Sequence, residues 1–354
     1  MIHNFNAGPS ILPSQVLAEA SKSIVNFNNS GLSILEIGHR TALFEDVMQE
    51  ARMLVRELMK LEDHHEVLFL HGGATTQFMQ IPMNLLDEEK TAAIADTGVW
   101  STKAIKEASY FGKVKVVCSS KDKNYNFIPK GFDVPENAEY LHVTSNNTIY
   151  GTQYHEFPKV SVPLIADMSS DILSRDLDFN SFDLIYAGAQ KNMGAAGATM
   201  VVVNKNILGK IERPIPPIMD YREHIKAGSM LNTPPVFAVY VSMLTLRWLK
   251  ENGGVSTMEK LNNEKASMVY QAIDNSKLFK GTVAKEDRSK MNICFVTEDL
   301  SIEKKFLDFA DKNNIYGIQG HRSSGGFRVS AYNALPLSSV EYLVGKMEEF
   351  EKGV

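Results

Sequence analysis

Residues 184–204 read LIYAGAQKNMGAAGATMVVVN, two apolar runs joined by a centre made almost wholly of small residues. Each run is short and continuous, the pattern of a strand covered on both faces, so strands are expected at 183–187 and 198–203. Between Asp183 and Lys205 the only charged side chain is Lys191, in the connection. A lysine in such company has two readings. It is a loop residue between two strands, or it is a desolvated amine held in a pocket, with the lowered proton affinity that a nucleophile requires.

Upstream, the same kind of run recurs at 66–70, at TAAIAD ending on Asp96, and at 114–118, 140–143 and 162–166. That makes seven strands. Residues 43–59 place Phe44, Val47, Met48, Ala51, Leu54, Val55, Leu58 and Met59 at helical spacing. A second long helix is expected over 236–250, with Thr233 as N-cap, Pro234 and Pro235 in the first turn and Gly253-Gly254 as the stop. Strands alternating with helices predict an α/β fold, a mostly parallel seven-stranded sheet with helices on both faces. Beyond about residue 260 the pattern changes to helices at 259–276, 301–313 and 337–350 around strands at 291–296 and 326–330. Ser338 and Glu341 stand in capping-box spacing at the start of the last helix. The expected division is a large domain over 15–258 and a smaller α+β unit made of 1–14 and 259–354.

The 354 residues, 44% hydrophobic and 22% charged, suit a globular protein with a substantial core. A net charge of -5 argues against nucleic-acid or membrane-surface binding. Cys118 and Cys294 lie in strand-like runs and are too few for a disulfide scaffold or a zinc site, and no metal is expected. No apolar run approaches membrane length, so a cytoplasmic location is expected.

Several residues could serve Lys191. Asp167 closes the run VPLIA, where open α/β sheets bind ligands, and a carboxylate there could hold a proton on a pyridine nitrogen. It could equally cap the turn at Ser169 and Ser170. Asp171, four residues on, is expected to be exposed. Gly72-Gly73-Ala74-Thr75-Thr76 follows a strand and precedes a helix, either a plain tight turn or a phosphate cradle. Trp100 could stack on a flat heteroaromatic ring or pack in a core, and Thr148 could give the same ring a hydroxyl. His39-Arg40, and His321-Arg322 with Arg328, are basic groups able to bind a substrate carrying both a carboxylate and a phosphate. The turn Gly325-Gly326 would let Arg322 and Arg328 converge.

Taken in order, FNAGPS, EIGHR, HGGATTQF, ADMSSDILSR, GAQKNMG, NTPP and GHR…GGFRVSAYN resemble the class V aminotransferases of PLP fold type I, in the branch acting on phosphoserine, over nearly the whole chain. The resemblance implies that Lys191 holds pyridoxal 5'-phosphate as a Schiff base, that Asp167 pairs with its pyridine nitrogen, and that Trp100 and Thr148 contact the ring. It places Ala74, Thr75, Ser169 and Gln190 around the cofactor and its phosphate. Asn232 and Thr233 would reach that phosphate from a partner subunit, so a homodimer is expected. Arg328 would take the substrate α-carboxylate, with His39, Arg40, His321 and Arg322 around the phosphate of phosphoserine or the distal carboxylate of glutamate. The implied reaction converts O-phospho-L-serine and 2-oxoglutarate to 3-phosphohydroxypyruvate and L-glutamate, with 4-phosphohydroxythreonine, of pyridoxine biosynthesis, as a further substrate to test. A cysteine desulfurase is disfavoured, because Gln190 stands before the lysine where that family has histidine. One departure concerns phosphate binding: Thr75 stands where some family members carry an arginine.

Overall fold

The computed structural model describes residues 2–354. Seven strands form the main sheet, in the spatial order His65–Leu70, Thr199–Asn204, Leu184–Gly188, Leu164–Asp167, Ala138–Thr144, Thr91–Asp96, Lys113–Ser119. Six run parallel. Thr199–Asn204 is antiparallel to both neighbours, pairing Leu184 with Val203 and Gly188 with Thr199. The reason is local: the link from 189 to 198 is too short for a crossover helix, so the two strands close as a hairpin with Lys191 in its connection. All residues of Leu164–Asp167 and Leu184–Gly188 are buried, as continuous apolar runs in a covered sheet require.

Successive side chains of each strand point to opposite faces. Val67 and Phe69 pack in the core under the helices Ala42–Leu58 and Val236–Glu251, whereas Leu68 and Leu70 face Phe78 and Ile81 of Gly73–Leu85. At the carboxyl ends of the central parallel strands Thr144, Asp167 and Tyr186 lie side by side in the sheet, with Gly188 closing its strand two residues on.

A separate apolar cluster gathers Phe279, Phe295, Phe306 and Phe327 with Ala266, Val269, Leu343 and Phe350. It is built on a three-stranded antiparallel sheet of Phe279–Gly281, Asn292–Thr297 and Phe327–Ser330. The chain's start belongs to the same cluster: His3–Asn4 pairs in parallel with Ile315–Tyr316, and Phe5 is buried beside it.

Three local expectations are corrected. Helix Val236–Glu251 begins after Pro235, which has no side-chain cap to offer, so Thr233 stands two residues before the cap position, and its carbonyl bonds the His71 ring at 2.8 Å. The helix expected from 259 begins at Gly254: Gly253 takes φ +91°, which reverses the chain at once. Ser338 and Glu341 form no capping box, since Leu337–Gly353 starts directly after Pro336 and has no side-chain cap. The helices Ser14–Val25 and Val99–Ala108 were not anticipated.

Candidate active site

Asp167 ends its strand with its side chain buried, 5% exposed, and accepts the Ser169 backbone N–H at 2.9 Å. The capping reading of this residue is therefore met, and its carboxylate also lines the cavity described below. Burial pushes its carboxyl above the usual range, against the pull of Ser169 and of Lys191. Lys191 is affected from the other side. Desolvation, helped by the Arg328 charge, brings its amine down to about 8, while Asp167 and Asp171 oppose the fall. Its Nζ donates to Thr148 Oγ1 at 2.7 Å and lies 5.6 Å from the Trp100 ring centroid.

A cavity of about 140 Å³ lies among these groups. Ala74, Thr75, Trp100, Thr148, Asp167, Ser169, Gln190 and Lys191 all line it with Gly73 and Ser170, as do Thr144 and Asn146, which the sequence does not mark. The glycine-rich turn closes one end. Gly72 sits at φ +89°, where a Cβ would lie 1.8 Å from Thr76 Oγ1, and the first turn of the helix Gly73–Leu85, whose N–H groups have no partner within the helix, lines the cavity with Gly73, Ala74 and Thr75.

The chain's start lies over Lys191. Ser10 donates through its N–H to the Gln190 carbonyl at 2.9 Å and through its hydroxyl to the Lys191 carbonyl. A Cβ on Gly8 would come 3.3 Å from Lys191 Cγ, so glycine allows the close approach. This contact gives FNAGPS a physical role that spacing could not reveal.

Arg328 stands next to the cavity: its Nη1 donates to the Thr148 carbonyl at 3.0 Å, and its buried Nε has no protein partner. His321 is near enough to Arg328 and Arg322 that burial and both charges lower its proton affinity. His39, Arg40, Asn232 and Thr233 do not line the cavity within one chain. His39 Nε2 is buried without a partner, and Arg40 is exposed.

Asp171 corrects an expectation. It is 2% exposed, because residues 169–172 form a turn that carries it inward. Its carboxylate accepts from the Ser145 hydroxyl and from Gln153 Nε2 at 3.0 Å, and pairs with Arg175 at 3.4 Å. A buried chain of hydrogen bonds was also invisible in the sequence. Asn146 Nδ2 donates to Ser170 and to Asn292 Oδ1, each at 2.8 Å. Asn292 Nδ2 reaches the Tyr332 hydroxyl at 3.1 Å, and that hydroxyl donates to the Ala7 carbonyl at 2.8 Å.

A sheet edge carrying a desolvated lysine, a buried carboxylate and a helix N-terminus defines a class, and the chain belongs to the class-V aminotransferase family, whose model matches residues 2–343. It is 55% identical over 353 residues to a phosphoserine aminotransferase of Flavobacterium johnsoniae, covering 99% of each chain. Its particular place in the family is thus among the phosphoserine aminotransferases. The solved phosphoserine aminotransferase from Bacillus circulans subsp. alkalophilus superposes with a TM-score of 0.97 at 44% identity, covering 100% of this chain and 99% of that one. The PLP-bound phosphoserine aminotransferase of Trichomonas vaginalis gives 0.94 at 36% identity, covering 98% and 100%.

The walls suit such a cofactor. Trp100 Nε1 and Thr144 Oγ1 are buried without protein partners, and a hydroxyl, a carboxylate and a helix N-terminus face one cavity. Among the described residues no group of three or more His, Cys, Asp or Glu could hold a metal ion, and no helix is long and apolar enough to cross a membrane.

Proposed function

We propose that the chain reversibly transfers an amino group between O-phospho-L-serine and 2-oxoglutarate, yielding 3-phosphohydroxypyruvate and L-glutamate, on the way to L-serine. Pyridoxal phosphate, when bound, supplies the electron sink for this chemistry. Lys191 would anchor it, and Asp167 would hold the proton on its pyridine nitrogen. Trp100 and Thr148 would contact the ring from the cavity wall. Ala74, Thr75, Ser169 and Gln190 surround cofactor and phosphate, and Asn232 and Thr233 complete the phosphate site from a second copy of the chain. The homodimer reading is supported by the absence of these two residues from the lining of their own chain's cavity. Arg328 takes the α-carboxylate, while His39, Arg40, His321 and Arg322 bind the distal anion.

The observation that carries this reading is the juxtaposition of Lys191 with Asp167 in one cavity. An amine brought down to about 8 can take and return a proton near neutral pH, as the α-proton transfer requires. The division into 15–258 and 1–14 with 259–354 is proposed alongside, supported by the separate apolar cluster that holds Phe5. A cytoplasmic location is supported by the two unpaired cysteines.

An amino-donor panel tests the function, with phosphoserine, serine, alanine and 4-phosphohydroxythreonine compared against 2-oxoglutarate. We expect phosphoserine to exceed serine in kcat/KM by about two orders of magnitude or more, because a site built for a charged group is left unpaired by the analogue lacking it. Equal turnover of the two would overturn the substrate reading.

A further inference from the structure

Lys103 is a cation at the cavity's rim that the roles above leave unused. It lies on the helix Val99–Ala108 three residues after Trp100, so the two side chains share a face. Its ammonium sits 4.6 Å from the centroid of the Trp100 ring, a wall of the cavity. The aromatic face holds the charge in place without neutralising it.

Its surroundings are positive. Burial and the charges of Arg328, Arg322 and Lys103 all act on His321 to disfavour a further charge. In a chain of net charge -5, such a local excess of cations raises the local concentration of anions and favours an anion among them. Thr75, on the neighbouring wall, brings no charge. A lysine suits the task because phosphate accepts a point charge from many directions.

We propose that Lys103 is a specificity-determining residue that binds the phosphate of the phosphorylated substrate, from the tryptophan side of the cavity. The inference rests on the substrate reading above.

The test uses the holoenzyme with Lys103→Met, which keeps the stem on Trp100 and removes the charge, and with Lys103→Arg, which keeps the charge. Each half-reaction is followed by the absorbance of the bound cofactor, and inorganic phosphate binding is titrated by calorimetry. For K103M we expect the ratio of kcat/KM for phosphoserine over glutamate to fall by about tenfold, through KM. Phosphate affinity should fall in parallel, and K103R should restore most of both. Equal losses with both donors, or a changed cofactor spectrum, would reduce Lys103 to a brace for Trp100 and overturn the proposal, as would an unchanged ratio. A wild-type enzyme that does not prefer phosphoserine to serine would defeat both readings together. A wild type that prefers it, with an unaffected K103M, defeats this one alone.

Discussion

Two buried lysines can be set side by side. Lys191 lies in the hairpin connection at the edge of the main sheet, Lys265 in the helix Gly254–Asn275 under the second apolar cluster. Burial lowers both amines, Lys191 to about 8 and Lys265 to about 7, so the residue without a proposed role in the chemistry is perturbed as strongly as the one with it. The difference lies in the company each keeps. Lys265 is 0% exposed, and its Nζ donates to the carbonyls of Tyr332 at 2.7 Å and Leu335 at 3.2 Å. Lys191 has a side-chain hydroxyl as partner, a carboxylate acting on it and a cavity before it. A lowered proton affinity therefore marks desolvation, and only the groups around it separate a nucleophile from a structural plug.

The largest effect expected from this contrast is on turnover. Lys191→Ala should lose at least about three orders of magnitude in kcat, since covalent anchor and proton carrier go together, with stability nearly unchanged. Lys265→Ala should do the reverse. Activity per folded molecule should stay within about tenfold, while stability falls by about 2–4 kcal/mol, from the lost packing of the stem and two stranded carbonyls. Steady-state kinetics and urea unfolding of both variants check this. If K265A were inactive while stably folded, the contrast would break.

A second expectation concerns pH. The folded proton affinity of Lys265 lies below that of an unfolded lysine, so between about 7 and 10.5 the unfolded chain binds more protons. Stability from this group therefore rises with pH across that window, and below it the penalty is fully present. At about 1.4 kcal/mol per tenfold change in proton affinity the span amounts to several kcal/mol. Lys265→Met removes the titrating group. The stability of wild type relative to K265M should grow as pH rises from 7 to 10, measured by unfolding at matched cofactor loading. A constant difference would show that Lys265 does not titrate in this range.

The same two residues show what a sequence can carry. The seven strands are legible because a sheet covered on both faces demands continuous apolar runs, and all seven fall within a few residues of their observed bounds. Lys191 is legible as a lone charge in such a run. Lys265 is not, because its partners are backbone carbonyls 67 and 70 residues away, which any amino acid would supply. Asp171 reads as exposed because a lone carboxylate usually is, while the turn at 169–172 sends it inward to partners distant in sequence. The link from Asn146 through Asn292 and Tyr332 to Ala7 joins segments distant in sequence, and no local pattern marks it. Lys103 reads as an ordinary surface lysine until the fold brings it near His321.

The smallest expected effect separates the two lysines by the kind of partner each uses. A backbone carbonyl cannot be removed by substitution, whereas the partner of Lys191 can. Thr148→Val keeps the shape of the side chain and deletes the oxygen that accepts from Nζ at 2.7 Å. That hydrogen bond favours the charged amine, so losing it should lower the proton affinity of Lys191 further below about 8. One such bond is worth about 0.5–1.5 kcal/mol net, which corresponds to a downward shift of about one pH unit or less. The pH dependence of Lys191 alkylation in cofactor-free protein reports it directly. An upward shift, or none, would mean that desolvation and the nearby charges alone set this amine, leaving only the cavity and its carboxylate to distinguish Lys191 from Lys265.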